Sequence, residues 1–391
     1  MRICIVEMPI PVQNPQASSP IGVNVGAYAD SFKKLGHDVV VVCGMSPGLK
    51  PTMKNYDIVA ISTRAHATAL GEFMEEFLYS LRVVKCLLSL QKNGLDLIIN
   101  MNYSTAFIAS LMRFNKRLLN KIIAIQAGIE PKKSVAARTI AVLIKRYSFP
   151  HIRLVVAQSQ TVRARAARLY RMDSRKIVVL SAAGVDTNMF QPRNSTVARQ
   201  KLGLTGNTTL VLCVSNIEAR KNQLSLLRSF RDTLSNHPSC VLVLIGLSLE
   251  KDYLRRINEF IAKSGISSNV KFVGYVSGVS QLVSYYNASD LFVLVSLSEG
   301  GVPRVALEAM SCGLPCILSR IPEIAEGVSA ETLLVNPLND DEISHALDAL
   351  IANKQERTRL GSKARVTAMR YDWYRLSKDL LEIAKSPRLT S

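Results

Sequence analysis

Short runs rich in β-branched residues recur along the whole chain, each separated from the next by a longer stretch with helical apolar spacing. No other feature restricts the fold as much. In the first half the runs are Ile3–Val6, Val39–Val42, Ile58–Ile61, Leu97–Ile99, Ile122–Ile125, Leu154–Ala157 and Ile177–Leu180. In the second half they are Leu210–Val214, Val241–Ile245, Val270–Val273, Leu291–Val295, Cys316–Leu318 and Leu333–Val335. Strands that alternate with helices imply an α/β fold of parallel sheets flanked by helices. The chain has 391 residues and is 48% hydrophobic, enough for two domains of ordinary size, each with its own core. The polar stretch QPRNSTVARQKLGLTGNTT reads as the boundary between them. The expectation is two doubly wound, Rossmann-like domains, residues 1–190 and 191–371, facing across a cleft. Ligands in such sheets bind beyond the carboxyl ends of the strands.

Composition narrows the function classes. No run of about 18 uncharged apolar residues occurs, so no helix is expected to span a membrane. The opening MRICIVEMPI is too short in its apolar part for a secretory signal and reads as a first strand. Seven scattered cysteines, with Cys4, Cys43 and Cys213 inside strand-like runs, suggest buried thiols in a reducing cytoplasm. Cys312 and Cys316 have no second pair or nearby histidine to complete a zinc site. The net charge is +19, of which about +14 falls in residues 1–190. Between Arg113 and Lys176 the only acids are Glu130 and Asp173. Such a surface attracts anions: membrane headgroups, nucleic acid or a phosphorylated substrate. A solvated basic face that serves solubility is the plainer alternative.

The stretch SEGGVPRVALEAMSCGLPC, residues 298–316, carries the most chemistry. Gly300 and Gly301 are free to take backbone angles that other residues avoid. Pro303 suits the first position of a helix, and Val305, Ala306, Ala309 and Met310 continue an apolar stripe. Gly313 ends that helix and Pro315 forbids its continuation. Glu299 is thus expected on the loop before the helix, and Glu308 about five residues inside it, roughly 8 Å from its mouth. A helix mouth seats phosphate well, and that distance is about the step from a diphosphate to its ribose.

Six stretches in this order resemble the family 4 glycosyltransferases of the two-Rossmann-domain, GT-B type. SLSEGGVPRVALEAMSCGLPCI resembles the family's paired-glutamate signature. LSAAGVDTNMFQP resembles its domain linker, and LCVSNIEARKNQLSLLRSF the opening of its donor domain. VKFVGYVSGVSQLVSYYNASDLFVLVS resembles the segment before the glutamates, and KKLGHDVVVV the end of the first helix with the second strand. YDWYRLSKDLLEIA resembles the tail helix, which implies that residues 372–391 cross back to the first domain.

The resemblance implies a retaining, hexosyltransferase-like enzyme that takes sugar from a nucleotide-diphosphate donor, uridine being the commonest base in the family. The acceptor would be a glycan, a lipid-linked molecule or a small molecule, as in polysaccharide biosynthesis. No Asp-x-Asp motif is present to carry a metal, so lysine, arginine and backbone dipoles must neutralise the departing diphosphate. Lys221 falls on the family's diphosphate-binding lysine. Asn216 stands where the family has a partner arginine, so either Arg220 substitutes or the site works with one cation. Glu308 would accept the two ribose hydroxyls, which a carboxylate takes side by side. Glu299 would hold hydroxyls of the donor sugar, with the N–H groups of Gly300, Gly301 and Val302 aimed at sugar or phosphate. Eight residues separate Glu299 from Glu308 where the family usually has seven, and a bulge at the glycine pair would absorb the extra one. Val276 is a further donor-binding candidate. Ser19, a candidate cap for the first helix, and Pro20 stand where the family places a glycine pair; Gly22 and Gly26 suit close packing of that helix. Gln126 stands in place of the family's histidine beside the reacting sugar; it can bond a hydroxyl but cannot shuttle a proton.

The segment KKSVAARTIAVLIKRY sets Val135, Ile140, Val142, Leu143 and Ile144 among Lys132, Lys133, Arg138, Lys145 and Arg146. A basic amphipathic helix of this kind suits an anionic membrane interface, which would make the protein peripheral on the cytoplasmic face. Packing into the core with snorkelling cations competes with that. Two other readings remain. One is a sugar-nucleotide epimerase, which needs acid and base residues such as His66 and His151. The other is a non-catalytic basic protein, binding membrane or nucleic acid, on a decayed transferase fold. No aromatic-rich basic strand supports RNA binding, so nucleic acid is not an expected partner.

Overall fold

The computed structural model describes residues 1–7, 20–45, 55–63, 69–101, 105–126, 135–203, 208–328 and 332–386. Its contacts divide the chain into two units: Met1–Ala182 with Trp373–Ser391, and Ala183–Asp372. The divisions fall at 182/183 and 372/373, where the polar stretch and tail helix suggested 190/191 and 371/372. Residues 183–190 side with the second unit because their apolar members plug its core. Val185 and Phe190 are both buried there, and Ser311 donates its hydroxyl to the Phe190 carbonyl.

The first unit holds a seven-stranded parallel sheet in the order β3-β2-β1-β4-β5-β6-β7. Its strands are β1 (Arg2–Glu7), β2 (Asp38–Met45), β3 (Asp57–Ser62), β4 (Leu97–Asn100), β5 (Ile122–Gln126), β6 (Leu154–Ala157) and β7 (Ile177–Val179). Side chains alternate between faces, and here both faces are buried. Cys4, Val6, Val42 and Ile98 enter one core; Ile3, Ile5, Val41 and Ile99 enter the other. That double burial explains the unbroken β-branched runs of the sequence. The tail helix Trp373–Lys385 covers the second of these cores beside the helix Pro20–Lys34. There the Trp373 ring meets Tyr28 edge-on at 5.1 Å. The helix does begin at Pro20. A Cβ at Gly26 would meet only the Tyr56 hydroxyl, at 3.9 Å, so packing does not require glycine there.

The second unit repeats the plan with six parallel strands in the order β10-β9-β8-β11-β12-β13. They are β8 (Leu210–Val214), β9 (Val241–Ile245), β10 (Val270–Gly274), β11 (Leu291–Leu294), β12 (Cys316–Ser319) and β13 (Leu333–Val335). In each sheet the winding direction reverses once, between β1 and β4 in the first and between β8 and β11 in the second. Loops that leave the carboxyl ends of such a pair diverge and open a crevice for ligand.

The helix Val135–Ser148 departs from the amphipathic expectation. Lys145 is buried, its ammonium 5.3 Å from the Tyr170 ring centroid, and Arg146 donates its Nε to the Leu169 carbonyl at 2.6 Å. Ile140, Leu143 and Tyr147 point outward instead. Aromatic rings and a helix end accept those cations, so packing overrides the simple polar-out pattern. Residues 132–134 and the side chains of Val135 to Arg138 lie outside what is described.

Candidate functional site

Beyond β8 and β9 the chain continues as two loops that stay side by side. Ser215 donates its N–H to Ile245 at 2.8 Å and Ile217 to Leu247 at 2.7 Å. Gly246 makes that approach possible: a Cβ there would lie 1.9 Å from the Ser215 carbonyl oxygen. The β8 loop then closes into a 3-10 turn, Ala219–Lys221, ended by Asn222 in the left-handed region at φ 59°. Asn222 can hold that angle because its side-chain amide donates to the Pro337 carbonyl at 2.6 Å. This turn projects Lys221 and Arg220 toward the loop after β11.

Across the switch point the two loops are tied together. Leu297 donates its N–H to the Arg220 carbonyl at 2.9 Å, and the Arg220 guanidinium reaches the Ser298 carbonyl at 2.8 Å. Lys221 Nζ meets Glu299 Oε1 at 2.5 Å, with the two side chains only 11% and 12% exposed. Arg220 sits 3.4 Å from the other carboxylate oxygen and is also held by Glu218 at 2.7 Å. Residues 78 apart in the chain, proposed separately for diphosphate and sugar, thus form one ion pair at the reversal of the sheet.

The following helix is Arg304–Ser311, one residue later than expected, with Pro303 as its N-cap. Pro303 makes no side-chain cap, so among the described residues the leading N–H groups of the helix have no capping side chain. It ends as the sequence suggests. Gly313 takes φ +80°, and its N–H and that of Leu314 return to Met310 and Ala309 at 2.9 and 3.0 Å. Gly300 and Gly301 differ from expectation: neither has a positive φ. The β11–β12 ladder ends at Leu294↔Leu318, so the glycine pair lies in a bend beyond the paired strands. The extra residue is taken up in the loop, where no ladder constrains its length. Val302 turns its side chain into the core, 4% exposed, leaving only its backbone for a ligand.

Glu308 is buried at 7% exposure. Tyr286 donates its hydroxyl to Oε2 at 2.8 Å, and Arg304, one turn earlier, brings Nε to 3.4 Å from Oε1. Burial raises the carboxyl pKa, while Arg304 and the Tyr286 hydrogen bond work against the rise. Arg304 keeps Nε and Nη1 buried, with no hydrogen bond from either among the described residues. The result is a buried carboxylate with lone pairs to spare one turn inside the helix, and a guanidinium with donors to spare at its first residue. A polyhydroxyl or phosphate ligand satisfies both.

Neither Tyr286 nor Arg304 was among the residues singled out from the sequence. The i,i+4 spacing of Arg304 and Glu308 is a signal that could have found the arginine. Tyr286 comes from the helix Val279–Ala288, and no local pattern connects it to Glu308. Asn216, half-buried, gives its carbonyl to the Gln223 side chain at 2.8 Å. Val276 lies on the loop after β10, the edge strand, two strands from β8. In the first unit Gln126 ends β5 with its side chain outside the described residues, and Ser19 lies outside them altogether. His66 does too. His151 immediately precedes β6, at the amino end of the strands, opposite the ligand edge.

Two family models match in tandem: Glycosyltransferase Family 4 over residues 21–188 and Glycosyl transferases group 1 over residues 194–367. A GDP-mannose-dependent monoacylated alpha-(1-6)-phosphatidylinositol monomannoside mannosyltransferase of Corynebacterium glutamicum is 28% identical over 215 residues, 52% of this chain and 55% of that protein. A D-inositol 3-phosphate glycosyltransferase of Rhodococcus jostii is 30% identical over 234 residues, 58% of this chain and 51% of that protein. These matches span about half the length of the curated relatives. Among solved structures, Anabaena HepE in complex with UDP aligns at a TM-score of 0.74 and 19% identity, over 98% of this chain and 99% of that one. The likeness is one of fold, the GT-B class of two Rossmann-like α/β units. With the two family models running from residue 21 to residue 367, the chain belongs to the group 1 glycosyl transferases, with a family 4 amino-terminal half.

Proposed function

We propose that this protein is a metal-independent, retaining glycosyltransferase that uses a nucleotide-diphosphate sugar. The observation that carries the reading is the meeting of Lys221, Arg220 and Glu299 at the β8–β11 reversal, on the loop that leads into the helix bearing Glu308. The diphosphate would lie against the leading N–H groups of that helix, its charge neutralised by Lys221. Glu308, oriented by Tyr286 and paired with Arg304, would accept the ribose hydroxyls. Glu299 would turn from Lys221 toward hydroxyls of the donor sugar.

Transfer needs no enzymic base in this scheme. The acceptor hydroxyl attacks the anomeric carbon from the face that the diphosphate leaves, and a leaving phosphate oxygen takes its proton. Gln126 would orient the sugar or the acceptor by hydrogen bonding. Uridine is the first candidate for the base, since HepE is described with UDP; guanosine follows, since the Corynebacterium relative is named for GDP-mannose. The relatives named for inositol phosphate and phosphatidylinositol substrates favour a phosphate-bearing acceptor, free or lipid-linked. The basic first unit suits one. A lipid-linked acceptor would place the protein at the cytoplasmic face of a membrane.

Thermal shift against UDP-, GDP- and ADP-sugars, followed by donor hydrolysis without acceptor, tests the reading. One donor should raise the melting temperature and release nucleoside diphosphate, and Glu308→Ala should abolish both. A chain indifferent to every nucleotide sugar would instead be a binding protein on a transferase fold.

A further inference from the structure

Globular helices turn their apolar stripe inward, but in the first unit two helices and a turn that lies between them also carry apolar side chains outward. The outward stripe of the helix Ala69–Lys92 carries Met74, Leu78, Leu81 and Leu88, each at least 40% exposed. The outward stripe of the helix Val135–Ser148 carries Ile140, Leu143 and Tyr147, at 45 to 55%. Between them packs the helix Thr105–Leu111, and just beyond it Phe114 stands 96% exposed. The tip is held on both sides. Asn115 donates to Gln91 at 3.4 Å, and the Arg113 guanidinium lies 5.8 Å from the Tyr147 ring centroid. Val84, Leu88, Met112 and Phe114 line one shallow groove, rimmed by Lys116 and Arg117.

Charge on this face has one sign. Its exposed charges are Arg82, Lys85, Lys92, Lys116 and Arg117. Glu75 and Glu76 of the same helix are buried, so no exposed acid occurs among the described side chains of the three elements. An apolar patch of this extent marks a docking surface. A second copy of the chain is a poor occupant, because two such faces would press cation against cation. An anionic bilayer satisfies both features, taking the apolar side chains into its interface and the cations among its headgroups.

We propose that this face docks on an anionic lipid bilayer, with Phe114, Leu88 and Leu143 seated in the interface and Arg82, Lys85, Lys116 and Arg117 against the headgroups. It adds a membrane-borne acceptor to the proposed transfer, but rests on surface chemistry alone and can fail separately from it. Lys145 and Arg146, which the sequence pattern offered as membrane cations, are not part of the face, because they are held inward.

Co-sedimentation of the full chain with phosphatidylcholine vesicles, with and without phosphatidylglycerol, provides the test. Wild type should pellet with the anionic vesicles at low salt, less at high salt, and little with phosphatidylcholine alone. Phe114→Ser should lower the partition about tenfold. Neutralising Lys116 or Arg117 to Gln should lower it about fivefold each. Phe114 is almost fully exposed, so its replacement should leave the melting temperature and vesicle-free donor hydrolysis unchanged. The proposal is overturned if wild type stays in the supernatant at low salt. It is equally overturned if pelleting is indifferent to Phe114→Ser and Leu143→Ser, or if light scattering shows a dimer that Phe114→Ser dissolves.

Discussion

At the scale of single residues, the site is built on charges held apart from water. Glu308 protonates at a higher pH when folded than when unfolded, because burial disfavours its charge. Between the ordinary glutamate value and the raised one, the folded state binds more protons. This group's contribution to stability therefore declines as pH rises through that window. Two outcomes follow for Glu308→Gln at neutral pH. The melting temperature should change little, because removal of one buried charge is offset by the loss of Arg304's counter-charge, while nucleotide binding should fall by a factor of ten or more, on the order of the loss expected for a charged hydrogen-bond acceptor. In the wild type, nucleotide affinity should weaken as pH falls toward the raised carboxyl pKa, a trend absent from the Gln variant. A calorimetric titration series over pH checks both. Lys221→Gln is a mild change for the fold, because Arg220 remains 3.4 Å from the Glu299 carboxylate and keeps it from being stranded.

At the scale of elements, the crevice depends on how closely two loops run. Gly246 has φ +153°, and any side chain there would strike the Ser215 carbonyl. Gly246→Ala should therefore separate the β8 and β9 loops, lower the melting temperature by several degrees and weaken donor binding through a displaced Lys221, since strain of this kind costs on the order of 1–3 kcal/mol. Gly361 offers a contrast. A Cβ there would lie 2.1 Å from the Gly313 carbonyl oxygen, at the far end of the Arg304–Ser311 helix. Gly361→Ala should also destabilise the second unit, but spare nucleotide affinity once the protein is folded. Circular-dichroism melts beside binding isotherms distinguish the two cases.

For the whole molecule, the strands were legible because parallel sheets buried on both faces demand long β-branched runs, and all the runs read from the sequence became strands. The helix after Glu299 and its stop at Gly313 were legible for a similar reason: proline and glycine act locally. What escaped was non-local. Nothing in the spacing of Lys221 and Glu299 announces that they pair, nor that Tyr286 supports Glu308; only the strand order brings them together. The polar linker hid Val185 and Phe190, so the division between units falls earlier than composition suggested. The inward turn of Lys145 and Arg146 was not legible in the Val135–Ser148 helix, because Tyr170 and Leu169 offer its cations partners that lie outside the helix. The tail helix belongs to the first unit's core, and its anchor is Trp373, 7% exposed. Trp373→Ala should lower unfolding free energy by about 3–5 kcal/mol in denaturant titration, with the loss in the first unit.

The account's central claim is that a nucleoside diphosphate lies between Lys221 and Glu308 at the β8–β11 reversal. The most direct measurement compares nucleoside diphosphate with nucleoside monophosphate affinity in wild type, Lys221→Gln and Glu308→Gln. Wild type should prefer the diphosphate; Lys221→Gln should lose that preference while still binding the monophosphate, and Glu308→Gln should weaken both nucleotides alike. A Lys221→Gln protein that keeps the full preference, or a Glu308→Gln protein that binds both nucleotides as wild type does, would contradict it.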